Sequence, residues 1–151
     1  MSAARRSSAL RRGHVCGALL LGLLAGCAPA PPEPPSRVAL TFPVDLSDPA
    51  ALTRTADDLF VGRVTARRGQ SDRGIGIESQ YDVRVEHTLK GSLTGVIVVN
   101  QQGGLDADGR AVDLPEGDEL LHVGERYRFA TRYSTRWGFH TVIPVHGDIR
   151  L

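Results

Sequence analysis

The residues best suited to metal chemistry are three histidines and a glutamate in the last third of the chain. They are His122, Glu125, His140 and His146. Imidazole and carboxylate groups bind Zn²⁺, but a zinc site needs three or four such ligands in one small volume. The His122-x-x-Glu125 spacing falls where a strand is expected to end in a turn, so the two side chains need not face one site. We predict no metal site, and keep a metal-dependent hydrolase using His122, His140 and His146 as an alternative.

A second group of potential ligands is acidic and lies in the segment 105–119. Its six carboxylates are Asp106, Asp108, Asp113, Glu116, Asp118 and Glu119. A calcium loop of the EF type needs Gly at its sixth position and Glu at its twelfth. Counted from Asp106, Gly109 stands fourth and Gly117 twelfth. The pattern predicts a solvated acidic loop, and calcium binding stays open.

Three aromatic residues, Tyr133, Trp137 and Phe139, lie close together in sequence. In a small β domain such rings pack in the core or at its rim, where an exposed ring offers a flat apolar surface to a ligand. We therefore name them as a possible ligand face. No nucleophile elbow and no Ser-His-Asp order accompanies them. The sequence predicts no catalytic residue.

Charge and cysteine content are informative once the chain is divided at Cys27. The full chain has 18 basic and 17 acidic residues, and four arginines but no acidic residue precede Cys27. The remainder holds 14 basic and 17 acidic residues, a formal charge of −3. That balance lacks the basic patch of a nucleic-acid-binding protein. Cys16 and Cys27 are the only cysteines, so no disulfide is expected after Cys27.

Residues 1–26 have the pattern of a bacterial signal peptide. Residues 1–14 are polar and rich in arginine, and residues 15–26 are apolar. The apolar run is shorter than the roughly 20 residues that span a bilayer as a helix. The pair Arg11-Arg12 raises the question of twin-arginine export, but no aromatic residue follows at the expected position. General secretion is the favoured route, and the choice stays open.

The run Leu24-Ala25-Gly26-Cys27 resembles the lipobox of bacterial lipoproteins at all four positions. The resemblance implies that residues 1–26 are removed and that Cys27 receives a diacylglycerol, with or without an added N-acyl chain. Two or three acyl chains hold a protein stably on a membrane, whereas one chain is marginal. The arginine-rich, Ala- and Gly-rich composition is typical of a GC-rich, actinobacterial source. We expect a lipid-anchored protein on the extracytoplasmic face of the cell membrane, with no other cofactor.

Residues 27–36 form the lipidated cysteine and a proline-rich linker. Five of the nine residues after Cys27 are proline, which favours an extended polyproline II spacer up to roughly 28 Å long. Residues 37–151 then form the folded domain. Within it, Ser47-Asp48-Pro49 predicts the start of a short helix that ends near Asp57-Asp58.

The rest of the domain has a β pattern. Five β segments are expected at 59–65, 81–89, 96–99, 126–133 and 137–145, with loops at 67–76 and 103–119. In the second segment apolar residues alternate with polar ones, which places Tyr81, Val83, Val85 and Leu89 inward. His87 also occupies an odd-numbered position of this strand, so it is predicted to point inward as well. The pattern predicts a mainly β domain: a small five-stranded antiparallel barrel with one short N-terminal helix.

Four short motifs carry a resemblance to known domains. They are Val61-Gly62-Arg63-Val64, Tyr81-x-Val83-x-Val85 ending in Leu89-Lys90-Gly91, a valine strand followed by Gly103-Gly104, and Val123-Gly124-Glu125-Arg126-Tyr127. In this order they resemble a group of small exported bacterial domains of unassigned function. That group is similar to the oligonucleotide/oligosaccharide-binding (OB) barrel and to netrin-like modules. The motifs cover turns and core positions, so the resemblance implies an OB-like fold over residues 55–148 and no catalytic residue.

These observations predict a class of function rather than a reaction. We expect a non-enzymatic binding or interaction module, held on the membrane by its lipid anchor. Its partner would be an unknown cell-envelope protein or glycan, and not a nucleic acid. Two alternatives stay open: the metal-dependent hydrolase, and a structural accessory protein of the cell envelope.

Overall fold

Ten strands and one short helix make up residues 36–151, which the computed structural model describes. In chain order they are β1 (Arg37–Val38), α1 (Pro49–Thr55), β2 (Asp58–Asp72), β3 (Ile77–Lys90), β4 (Val96–Gln102), β5 (Gly104–Leu105), β6 (Ala111–Val112), β7 (Leu114–Pro115), β8 (Arg126–Ser134), β9 (Phe139–Val142) and β10 (Asp148–Arg150). The prediction of a mainly β domain with one short helix is confirmed. The signal peptide, the lipobox and all but Ser36 of the linker lie outside the described residues. No helix within 36–151 is long and apolar enough to cross a membrane.

Helix α1 begins as its sequence predicts. The Asp48 side chain accepts hydrogen bonds from the backbone N–H groups of Ala50 and Ala51, at 3.0 and 3.2 Å. Pro49 occupies the first turn, where its missing N–H costs nothing. The helix ends at Thr55, slightly before the expected position, and buries Ala51.

The main sheet has six strands in the order β10-β8-β2-β3-β4-β9, and β8 also pairs with β9. All of its pairs are antiparallel except β4–β9, which is parallel. The main sheet is thus a six-stranded mixed sheet, where the sequence predicted a small five-stranded antiparallel barrel. The parallel pair is possible because residues 103–138 separate β4 from β9, which is ample length for a crossover.

Strands β2 and β3 form a long hairpin that extends beyond its predicted limits. The segment 67–72, predicted as loop, continues β2 and pairs with residues 77–81 of β3. Polar side chains occupy both faces of this extension, which hides the alternation on which sequence prediction depends. Only residues 73–76 remain as the loop, with Gly74 and Gly76 at φ of +91° and +100°.

The main core lies on one side of the sheet. It consists of Phe60, Val64, Tyr81, Val83, Val99, Leu121, Tyr127, Phe129 and Val142. A second cluster packs helix α1 and the segment before it against the opposite side of β8, through Leu46, Ala56, Ala130 and Ile143. Both clusters are apolar.

The predicted inward face of β3 is correct for its first half only. Tyr81 and Val83 are fully buried, and Val85 packs against the core while partly exposed. Leu89 is 59% exposed, and His87 is exposed as well, so their predicted inward orientation is wrong. Strand β4 pairs with β3 only as far as Arg84. Beyond that point β3 pairs with β2 alone, and the core does not extend to this end.

Candidate functional site

The candidate site lies on the side of the sheet that faces away from the main core. Tyr81 and Val99 point into the core, so their neighbours Gln80 and Asn100 point the other way. Gln80 pairs with Asn100, and Asn100 pairs with Thr141 of β9. These polar side chains on β3, β4 and β9 define the side of the sheet that we call the outer face; Asn100 is fully buried there, and Gln80 and Thr141 are half-buried.

Two loops bring further side chains to the edge of the outer face. Loop 73–76 contributes Arg73, and loop 135–138 contributes Arg136 and Trp137. The guanidinium carbon of Arg73 lies 5.2 Å from the Trp137 ring centroid and 4.7 Å from that of Phe139. That of Arg136 lies 4.7 Å from the Trp137 ring centroid. These four residues, Arg73, Arg136, Trp137 and Phe139, form what we call the Arg–Trp cluster.

Arg73 is held in place by the outer face. Its Nη2 donates to Asn100 Oδ1 at 3.0 Å and its Nη1 donates to Ser71 Oγ at 3.0 Å. It also forms an ion pair with the buried carboxylate of Glu78, which accepts a 2.9 Å hydrogen bond from Asn100 Nδ2. The Gln80 amide donates to Asn100 Oδ1 at 2.7 Å. Arg73 is therefore oriented before any ligand arrives.

Two cavities flank the Arg–Trp cluster. The larger, about 510 Å³, reaches Arg68 and Gln80, and the smaller, about 380 Å³, reaches Ile75 and Ser134. Both cavities include Arg73, Trp137 and Phe139 in their walls. Trp137 is 50% exposed, whereas Phe139 is 8% exposed and supports the cluster from below. A ligand in either cavity would contact the indole ring.

The structure divides the three aromatic residues that the sequence grouped together. Trp137 and Phe139 meet in the Arg–Trp cluster. Tyr133 pairs with His140, and the two rings pack at an angle of 45° with centroids 4.9 Å apart. Phe139 pairs with Ser134 and points to the other side of the strand pair. Tyr133 therefore lies outside the cluster. The role of Arg73 was not predicted, because nothing local in the sequence links residue 73 to residue 137.

The histidines singled out for metal binding do not come together. His140 Nδ1 lies 3.1 Å from Asp58 Oδ2, at one end of the core. His122 lines a separate cavity of about 190 Å³ together with Asp148. Within residues 36–151, no three His, Cys, Asp or Glu side chains are grouped so that they could hold a metal ion. The hydrolase hypothesis thus has no assembled ligand set in this part of the chain.

The carboxylates of the acidic segment 105–119 take part in separate local contacts. Asp106 accepts hydrogen bonds from the backbone N–H groups of Asp108 and Arg110, and pairs with the Arg110 side chain at 2.9 Å. The Arg110 backbone hydrogen bond is the main reason that the pKa of Asp106 is lowered. Asp113 accepts from the backbone of Ile77. These side chains stabilise turns and a short β5–β6 hairpin, where the sequence predicted only a loop.

A pair of carboxylates, buried Asp118 and half-buried Asp148, was not predicted. Asp118 Oδ2 accepts a 3.0 Å hydrogen bond from the backbone N–H of Val145, and Asp148 Oδ2 accepts one of 3.0 Å from Gln101 Nε2. Burial raises the pKa of both groups, and burial together with the charge of Asp118 raises the pKa of Asp148 to about 8. The two side chains line the same cavity as His122. Asp118 and Asp148 are distant in the sequence, and they line one cavity only because of the way the chain folds.

Comparison with known proteins adds no assignment. No protein-family model matches the chain, and no curated protein sequence matches it significantly. The function must therefore be argued from the geometry of the outer face.

Proposed function

We propose that this chain is a membrane-anchored lipoprotein whose folded domain is a non-enzymatic binding module for a cell-envelope ligand. The ligand, a glycan or a protein, would occupy the outer face at the Arg–Trp cluster. The observation that carries the proposal is a half-exposed tryptophan beside an arginine that three polar partners hold in place. Aromatic and arginine side chains of this kind dominate the energetics of binding surfaces.

An OB-like barrel is the fold that we propose for the main sheet. The pairings run β2–β3–β4–β9–β8 and return to β2, with β10 added beside β8. Each of the five strands in this circuit pairs with two others, which leaves no free edge in it. OB-folds bind oligosaccharides and oligonucleotides on the second and third strands and on the loops after the first and fourth. Those elements correspond here to β3, β4, loop 73–76 and loop 135–138, where the Arg–Trp cluster lies.

The two alternatives differ from this proposal in measurable ways. A metal-dependent hydrolase would contain stoichiometric zinc that is lost on His140→Ala, and that result would overturn the binding-module proposal. A purely structural accessory would bind no glycan, and crosslinking in intact cells would recover only protein neighbours. The Asp58 contact of His140 favours a structural role for this histidine.

The first prediction concerns Trp137. We expect Trp137→Ala to reduce binding to purified cell-wall material about tenfold, because ring stacking contributes on the order of 1 kcal/mol or more. Co-sedimentation of the detergent-solubilised protein with the cell-wall material measures this. Tyr133→Ala is the matched control, since Tyr133 is exposed to a similar degree, 47% against 50%, but lies outside the cluster. If Trp137→Ala and Tyr133→Ala reduce cell-wall binding equally, the outer face is not the binding site.

The second prediction concerns the lipid anchor. We expect Cys27→Ala to release the protein from the membrane fraction, because the thiol is the only attachment point for the diacylglycerol in the lipobox reading. Cys16→Ala is the control, because Cys16 lies in the segment to be removed, and this variant should stay membrane-bound. Cell fractionation followed by a salt and carbonate wash measures both. Retention of the Cys27 variant on washed membranes would contradict the anchor.

A further inference from the structure

The charged side chains in the larger cavity of the outer face are all cationic. This cavity of about 510 Å³ is lined by Arg68 and Arg73, by the amides of Gln70 and Gln80, and by Trp137. No carboxylate lines it. Its volume falls within the range of small-molecule sites, about 300–1,000 Å³. A ligand placed here would meet guanidinium and amide donors together with one aromatic ring.

The carboxylates that balance these arginines lie behind or beside them. Asp82 Oδ1 accepts from Arg68 Nε at 2.6 Å, which leaves the terminal nitrogens of Arg68 available. Glu78 pairs with Arg73 from within the outer face and does not line the larger cavity. Both arginines are thereby oriented by their acidic partners, and their remaining donors are preorganised for an anion.

A third arginine is available without an acidic partner. Arg136 is exposed, rests against Trp137, and forms no salt bridge among residues 36–151. An exposed side chain held by a ring contact alone can turn towards an anionic ligand. Arg136 therefore adds uncompensated positive charge at the rim, on a chain whose formal charge after Cys27 is −3.

We infer that the outer face selects an acidic sugar, a saccharide carrying a carboxylate or phosphate group. The inference rests on the proposed binding function and names its ligand class. The anionic group would contact the free donors of Arg68 and Arg73 in the larger cavity. Arg136, which lines the smaller cavity on the other side of Trp137, would turn towards it. The sugar ring would lie along Trp137, and its hydroxyls would reach the Gln80 amide. A neutral sugar would leave the guanidinium donors without an anionic partner and would bind more weakly.

Tryptophan fluorescence gives a direct test, because Trp137 is the only tryptophan of the chain. The protein, purified from membranes in a non-ionic detergent, is titrated with a galacturonic acid trisaccharide, with the matched galactose trisaccharide, and with galactose 6-phosphate against galactose. We expect the acidic compounds to bind at least tenfold more tightly than their neutral counterparts, since hydrogen bonds to charged groups are the stronger ones. The advantage should shrink as added salt screens the charges. The two acidic probes separate carboxylate from phosphate recognition.

Arg136→Gln should reduce the acidic-over-neutral preference several-fold without changing the melting temperature. Arg128→Gln is the matched control, because Arg128 is an exposed strand arginine that lines neither cavity. Arg73 is not substituted, since its loss would leave the buried Glu78 carboxylate unpaired. Equal affinity for acidic and neutral probes would overturn the inference and leave the binding function standing. If none of the four compounds binds while cell-wall binding still depends on Trp137, the acidic-sugar inference is likewise overturned and the binding function stands. If the protein binds neither the four compounds nor the cell-wall material, both the acidic-sugar inference and the proposed binding function are overturned.

Discussion

Replacing Val83 with Asp is expected to prevent folding of the domain. Val83 is fully buried in the main core, and Gly62 on the neighbouring strand leaves no space beside it. An ionised carboxylate at this position would lose its water without gaining a partner. The effective cost is several kcal/mol, comparable to the 5–15 kcal/mol that stabilises a typical domain.

Arg84→Ser is the control, one residue along the same strand. Arg84 is exposed, and its substitution should change the free energy of unfolding by less than about 0.5 kcal/mol. Circular dichroism and thermal melts of the two variants measure the difference. A cooperative transition near that of the parent for Val83→Asp would show that β3 does not face the core in the way described.

Asp148→Asn is expected to stabilise the protein at neutral and mildly alkaline pH. The pKa of Asp148 is raised from 3.8 to about 8 in the folded state by burial and by the charge of Asp118. Between these values the folded protein holds a proton that the unfolded chain releases. The stability of the folded protein therefore falls as the pH rises from about 4 to about 8. Above that range Asp148 contributes little further change in stability.

The variant removes this pH dependence because an amide does not ionise. Its oxygen can still accept the hydrogen bond from Gln101 Nε2. We expect parent and variant to have similar stability near pH 4, and the variant to be more stable by a few kcal/mol at pH 8, since one pKa unit corresponds to about 1.4 kcal/mol.

Thermal melts at pH steps from 4 to 9 test this expectation. Glu116→Gln is the matched control, because Glu116 is an exposed acidic side chain near the same cavity and should show the pH profile of the parent. Groups that also act on Asp118, namely Arg37 and His146, are unchanged in both variants. Parallel profiles for the parent and Asp148→Asn would show that Asp148 is ionised throughout.

The predictions that the structure confirms rest on short stretches of chain. The Asp48 cap and Pro49 start helix α1 because the interactions involved span only a few residues. The alternation around Tyr81 and Val83 identifies the buried side of β3, since side chains on a strand point to alternate faces whatever the partner. The alternation fails at Leu89, because burial also requires a neighbouring layer, and β4 ends its pairing at Arg84.

The amino-acid sequence by itself determined the helix start, the inner face of the first half of β3 and the mainly β character of the domain. It also carries the lipobox pattern, which rests on four consecutive residues. The tertiary structure alone decided which distant side chains meet. Arg73 reaches Trp137, and Asp148 approaches Asp118, because the pairing of β8 with β2, β9 and β10 brings separate loops and strand ends together. Such contacts depend on long-range strand pairing, and the residues at either end show no local pattern that would reveal their partner.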